Sequence, residues 1–400
     1  MQQAQPPSSL AAADAAALLG VKPQTLYAYA SRGLVRRVGA GKRRRYLLED
    51  LERLQLKQRA RAGHGPVAAA ALSFGEPVLD TRITGIDRRG PLYRGKPAVD
   101  LAVEGTSFEA VAELLWTGEL PASRPVWQRA SPLAAHVARC ASLAELWLAF
   151  PGLSGARNLR ALGAESELGQ GRLLIGQLAE LLVEPRARAG AHGIAELAAR
   201  AARAPKLQAR AALDLALVLL ADHELNASSF AARVAASTGA SLPASLMAAL
   251  CTLSGPRHGG ACDRVEALLD EAAALDEPRD VIERRLRRGD AVPGFGHPLY
   301  PEGDPRAAPL LGRVQLLAGQ NRVVERRLTA TFAIAELMRQ QGLPPTIDFA
   351  LVALTRSLGM RPGSAALLFA LGRSAGWIAH VLEQRQSDGV LRPRARYLGA

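Results

Sequence analysis

The sequence predicts an all-α protein in two parts, a small basic head and a large multi-helical body. Three observations carry that prediction. Hydrophobic residues make up 48% of the chain but aromatics only 4%, an alanine-rich balance that favours closely packed helices over sheets of β-branched residues. Past residue 105, apolar residues recur at helical spacing between Gly/Pro breaks. The net charge of +13 is unevenly placed: residues 1–62 hold twelve Lys/Arg against four Asp/Glu, a surplus of 8 that leaves 5 for the other 338 residues. At 400 residues the chain is also longer than one typical core requires.

The elements follow in order. In the head (1–62), Leu10, Ala13, Ala17 and Leu18 recur with a helical period that stops at Gly20. "VKPQTLYAYASRG" restarts a helix after a tight turn, with Leu26 and Tyr29 spaced to face the first. The glycine-punctuated basic stretch "VRRVGAGKRRRYL" suits a small wing, and "LEDLERLQL" closes as a third helix. A linker is expected at 63–73 and the body over 74–400. "TRITGIDRRGPLYRG" suits a β-hairpin. Helices are then expected in "SFEAVAELLWTGELP", "LQARAALDLALVLLADHELN", "LPASLMAALCTLSGP" and "GSAALLFALGRSAGWIAHVLEQ".

Composition excludes several function classes. Cys140, Cys251 and Cys262 are an odd, scattered set without a CxxC pair, against both a disulfide framework and a structural zinc site. No HExxH and no paired short-spaced ligands occur, so no metal is expected. There is no GxSxG elbow for a serine hydrolase. No run of eighteen apolar residues appears, and the start lacks a signal-peptide layout. The expectation is a cytoplasmic protein with no membrane partner.

Four polar clusters interrupt the apolar helices: "ADHELNAS" with His223 and Asn226, "SGPRHGGA" with His258, "VPGFGHPLYPEGDPRA" with His297 and Arg306, and "PPTIDFALVAL" with Asp348. Singly, each has an ordinary explanation. Asp348 complements the positive end of a helix, and His223 serves as a satisfied core histidine. Together, with "PLYRG", "SFEAVAELLWTGELP", "GRSAGWIAHVLEQ" and a closing "RPR", they occur in an order that resembles the citrate synthase family over roughly residues 74–400. The head, over roughly 9–57, resembles the MerR/excisionase type of winged helix-turn-helix.

The resemblance implies a citrate synthase-like body of large and small domains, the small one inserted roughly over 260–360. It implies condensation of acetyl-CoA with oxaloacetate to give citrate and CoA, with 2-methylcitrate synthesis from propionyl-CoA as the alternative. Asp348 would be the base, His258 the donor to the thioester oxygen as neutral imidazole, and His297 the group that polarises the ketone. Arg306, Arg373 and Arg392 would bind the two carboxylates, with His223 and Asn226 completing the cradle and Phe369 as an aromatic wall. Pro293, Gly294, Phe295 and Gly296 would wrap the CoA adenine through backbone groups. CoA enters as part of a substrate, so no cofactor is implied. The residue at Arg392 reaches a neighbouring subunit in that family, which implies a homodimer. Gly259 and Gly260 are expected to leave room for the thioester beside His258. Pro298, Arg257, Cys262, Ala350, Leu351 and Lys96 depart from the family's pattern, mostly along the acyl and CoA sites.

For the head, Lys42, Arg43, Arg44 and Arg45 on a wing would neutralise DNA phosphates. The other readings are a dimerisation or regulatory appendage, or a DNA-binding regulator whose body senses an acyl-CoA or a dicarboxylate.

Overall fold

The computed structural model describes residues 9–31, 34–38, 45–48, 50–51, 79–127, 133, 137–153, 166–275 and 278–393. Lys42, Arg43 and Arg44 and the linker expected at 63–73 lie outside the described residues. The chain forms two compact units, one of which is Thr81–Leu391.

The first unit contains β1 (Ser9–Ala11), α1 (Ala12–Leu18), α2 (Pro23–Ser31), β2 (Arg37–Val38) and β3 (Arg45–Leu47). The strands form an antiparallel sheet in the order β1-β3-β2, with Leu10 and Arg37 both in register with Tyr46. Pro23 opens α2, where a missing N–H costs nothing. Ala15, Ala16, Leu19, Leu26, Ala30, Val35, Tyr46 and Leu51 make the core. Arg36 donates through Nε and Nη2 to Asp50 at 2.8 and 2.9 Å, tying the residues after β3 to the segment before β2. Arg45 is exposed at the start of β3. Two expectations need correcting. Ala13 and Ala17 are exposed while Ala15, Ala16 and Leu19 are buried, and Ser9–Ala11 is a strand. In an alanine-rich segment every face is mildly apolar, so periodicity fixes the helix and not its phase.

The second unit opens with β4 (Thr84–Asp87), β5 (Gly90–Tyr93) and β6 (Lys96–Pro97), the expected hairpin plus a short third strand, with Thr84 opposite Tyr93 and Leu92 opposite Pro97. Helices α3 (Ala98–Val103), α4 (Phe108–Thr117), α5 (Leu143–Leu153), α6 (Glu167–Leu181), α7 (Ile194–Ala199) and α8 (Lys206–Leu220) follow. Next come α9 (Ala227–Ser237), α10 (Leu242–Leu253), α11 (Gly260–Ala273) and α12 (Arg279–Arg288). The last are α13 (Ala307–Gly319), α14 (Arg322–Gln340), α15 (Ile347–Ser357) and α16 (Ser364–Gln384). Helix α4 shows why these boundaries fall where they do. Ser107 accepts from the Ala110 amide at its start, and Gly118 at φ 86° ends it in a left-handed cap.

Helix α16 is the axis of this unit. It is long and apolar enough to cross a membrane, but 94% of that stretch is buried inside the protein. It packs against α4, α8, α9 and α10. At its meeting with the end of α8 the two backbones nearly touch. A Cβ on Gly372 would stand 2.7 Å from Leu220 Cβ, and one on Gly376 would overlap Asp222 Oδ1. Tyr93 braces the same point: its hydroxyl accepts from the Asp222 amide and lies 3.0 Å from Val218 O.

Candidate active site

Three breaks between helices and one face of α16 converge. The α8–α9 break delivers His223 and Asn226. Asn226 caps α9, its Oδ1 accepting from the Ser228 and Ser229 amides at 3.1 Å, so its side chain is spent on the turn. The α10–α11 break delivers His258. Here the glycines have a packing reason rather than the expected one. A Cβ on Gly259 would lie 2.6 Å from Leu253 Cγ and 2.7 Å from Leu253 O, so the turn folds back onto the end of α10 only without a side chain there. The long break before α13 delivers His297, Asp304 and Arg306, and Asp348 is the second residue of α15. On α16, Phe369, Arg373 and Trp377 recur every four residues and share one face.

The imidazoles are tied to these elements. His258 Nε2 lies 2.8 Å from Ser228 Oγ. Ser228 Oγ also accepts from Trp377 Nε1 at 3.0 Å and donates to Asn226 Oδ1 at 2.7 Å. A hydroxyl has one proton, so while it points at Asn226 the ring donates from Nε2 to Ser228 Oγ. When the hydroxyl turns from Asn226 to His258 Nε2, the neutral ring carries its own proton on Nδ1. His297 Nδ1 accepts from the Leu299 amide at 3.1 Å, which leaves Nε2 of the neutral ring as the N–H donor. His223 Nε2 lies 2.8 Å from Tyr300 Oη, and the His223 and His297 rings stand edge to face at 5.6 Å. Burial lowers the pKa of all three rings, with help from Arg373 for His258, which falls to about 4, and from Arg306 for His223 and His297. All three are therefore neutral at pH 7.

The charged groups divide sharply. Arg306 is buried and paired with Asp304, donating through Nε at 2.9 Å and Nη2 at 2.8 Å, and it lies over the Tyr300 ring. Arg373 is 1% exposed. Among the described residues its guanidinium makes a single hydrogen bond, Nε to Leu220 O at 2.9 Å, and lies 4.9 Å over the Phe369 ring with no carboxylate partner. Phe369 in turn meets the His258 ring edge-on at 6.2 Å. Burial raises the pKa of Asp348, opposed by the Arg306 charge, and its Oδ1 takes the Cys262 thiol at 3.5 Å. Burial and Asp348 hold that thiol protonated.

His223 feels the charges of Arg306, Arg373, His297 and His258, and Arg373 feels that of Asp348, so these six form one electrostatic neighbourhood. Arg392 is exposed. Pro293, Gly294, Phe295 and Gly296 are stitched to the approach to α15: Thr346 N donates to Gly294 O, Gly296 N to Pro344 O, and Phe295 pairs with Pro345. Neutral N–H donors, one basic carboxylate and a buried cation that, among the described residues, has the Asp222 charge nearby but no carboxylate bonded to it suit an anionic substrate and a carbonyl reaction.

Residues 73–165 and 173–394 match the family described as citrate synthase, C-terminal domain. The chain belongs to the citrate synthase family. Its residues 10–59 match a helix-turn-helix domain. The 2-methylcitrate synthase of Shewanella oneidensis is 31% identical over 357 residues, covering 82% of this chain and 93% of that protein. Citrate synthase 2 of Bacillus subtilis is 33% identical over 191 residues, 47% of this chain, so the match spans 50% of that relative's length. The solved ternary complex of citrate synthase from Thermoplasma acidophilum with carboxymethyl coenzyme A and oxaloacetate shares the fold, with a TM-score of 0.68, 24% identity and coverage of 82% and 95%. Relatives at about 30% identity do not separate citrate from 2-methylcitrate synthesis within the family.

Sequence reasoning overlooked Ser228, Tyr300, Asp304 and Trp377. All four lie inside quoted motifs, and the signal that could have found them is a polar or aromatic residue a few positions from a candidate histidine or arginine.

Proposed function

We propose that this citrate synthase family member condenses acetyl-CoA with oxaloacetate to citrate and free CoA. The supporting observation is the unpaired, buried Arg373 beside three neutral imidazoles and Asp348. Such a cation is stabilised by an anionic ligand, and a dicarboxylate supplies one. In this reading Asp348 takes a proton from the thioester methyl group while His258 Nδ1–H stabilises the enol oxygen. The carbon nucleophile attacks the ketone, whose developing alkoxide takes a hydrogen bond from His297 Nε2–H. Water then cleaves the thioester, releasing the CoA thiol. Arg306 and Arg373 hold the carboxylates, His223 and Phe369 shape the cradle, and Pro293 to Gly296 face the adenine. No separate cofactor takes part. Arg392 serves the neighbouring subunit of a cytoplasmic homodimer.

Propionyl-CoA is the competing acyl donor, since one methylene is worth only about 1–3 kcal/mol of discrimination. The test is thiol release from each acyl-CoA with oxaloacetate. Wild-type chain is expected to release thiol, and Asp348→Ala to lose at least about 100-fold of that rate. Wild-type chain that releases none with either donor overturns the assignment. It would favour a regulator that reads acyl-CoA or dicarboxylate levels and binds DNA through the head, a reading the helix-turn-helix match supports. Salt-sensitive binding in a mobility-shift assay is the mark of that activity.

A further inference from the structure

We propose that Asp304 is a positioning residue that joins the dicarboxylate cradle to the helix bearing the base, an inference that rests on the assignment of Arg306 and Asp348 above. The Asp304 side chain is fully buried and accepts four hydrogen bonds. Oδ1 takes the Arg306 amide at 3.1 Å and Nε at 2.9 Å, and Oδ2 takes Arg306 Nη2 at 2.8 Å and the Ile347 amide at 3.0 Å. Ile347 is the first residue of α15, and Asp348 the second.

The Ile347 bond is needed because α15 lacks its local cap. Thr346 occupies the capping position but makes no capping hydrogen bond, and its Oγ1 lies instead 3.5 Å from Asp348 Oδ2. An uncapped helix start leaves N–H groups to be satisfied from elsewhere, and Asp304 does so from 43 residues away in sequence. One carboxylate thus fixes the guanidinium that would hold the electrophile and the first turn that would aim the base. Phe295–Pro345, Gly296–Pro344 and Gly294–Thr346 pairings lie alongside, so 294–306 and 344–348 move as one frame. A dicarboxylate that draws Arg306 toward itself loads α15 through Asp304.

The experiment uses the full chain and three variants. Asp304→Asn retains one acceptor oxygen but cannot serve both partners. Ile347→Pro removes the donating N–H and sets a ring carbon against Asp304 Oδ2, breaking the link while the backbone stays compatible: proline is favoured at the first helical position, and Thr346 at φ −92°, ψ 172° already has the extended backbone a following proline demands. Ile347→Ala keeps the N–H and loses the side chain, and so controls for packing. Asp304→Asn is expected to raise the oxaloacetate KM and lower kcat, each by about 10-fold or more. Ile347→Pro is expected to lower kcat by about 10-fold relative to Ile347→Ala, with the oxaloacetate KM within about 2-fold. Equal kcat in the proline and alanine variants overturns the proposal, as does an Asp304→Asn effect confined to KM. Hydrogen exchange supplies a readout independent of turnover. Oxaloacetate is expected to protect the amides of 346–351 in wild-type chain and not in Ile347→Pro. If the wild-type chain shows no such protection, the link is refuted whether or not it releases thiol.

Discussion

Gly294→Ala isolates the loop that would carry CoA. Gly294 sits at φ +88°, where a Cβ costs about 1–2 kcal/mol. The added carbon would also lie 2.8 Å from Val265 Cγ2 and 3.0 Å from Phe349 Cβ, inside normal contact, and forcing such neighbours apart costs about 1–3 kcal/mol. Together the two effects destabilise by about 2–5 kcal/mol, which for a unit of this size lowers Tm by roughly 4–10 °C. The displacement has a direction: Phe349 follows Asp348, and its ring packs tilted against that of Phe295, of the same loop as Gly294, with centroids 4.6 Å apart. The acyl-CoA KM should therefore rise and kcat fall, by about 10-fold or more for a shift of several tenths of an ångström. The assays are differential scanning calorimetry and steady-state thiol release. Gly312→Ala is the control, because its Cβ meets nothing within 4 Å, and replacing a helical glycine there leaves Tm unchanged or slightly higher. A Gly294→Ala chain with wild-type Tm and wild-type acyl-CoA KM would refute the reasoning.

Two further predictions concern protons. His258 titrates at about 4 in the folded chain against an ordinary 6.5, so the unfolded chain takes up the proton first as pH falls. Its contribution to stability is complete above about 6.5 and is lost as pH falls toward 4, with His223 and His297 adding the same sign. Tm measured across that window should drop more steeply for wild-type chain than for His258→Gln. The acid limb of kcat/KM should follow Asp348, which acts only when ionised and titrates above the ordinary aspartate value because of burial. Around it stand Arg306, Asp304, Arg373 and Cys262. Cys262→Ser places a stronger donor on Oδ1 and moves the limb to lower pH, whereas Cys262→Ala removes the donor and moves it to higher pH. Shifts in the same direction in both variants would exclude the thiol as the tuning group.

Much of the site was legible because its chemistry sits in helix breaks. A histidine or aspartate between Gly/Pro signals stands out from an apolar helix, and His223, His258, His297 and Asp348 were all found that way. The hairpin at 84–93 was legible from its turn residues. What stayed hidden depends on partners distant in sequence. Nothing in "DHELNAS" says that Ser228 will meet a tryptophan 149 residues later, and nothing in "DPRA" says that its aspartate caps another helix. The Gly259–Gly260 pair suggests space for a ligand because sequence shows the missing side chain and not the Leu253 and Gly255 atoms that fill the gap. Arg373 was legible as a carboxylate ligand only through its motif. That no carboxylate among the described residues bonds to it directly, with Asp222 acting only through its charge, is a property of the folded chain.

The backbone-to-backbone approach of α16 to the end of α8 has a wider consequence. The spacing between His223 and the Phe369–Arg373 face is set by atoms that are missing, at Gly372 and Gly376. A side chain can be trimmed or swapped to retune a pocket by small steps, but a void of this kind has no smaller setting. Adaptation of this cleft to a bulkier acid must therefore come from its movable walls, the loops ahead of α13 and α15, while the α8–α16 seam stays fixed as the reference against which they are measured.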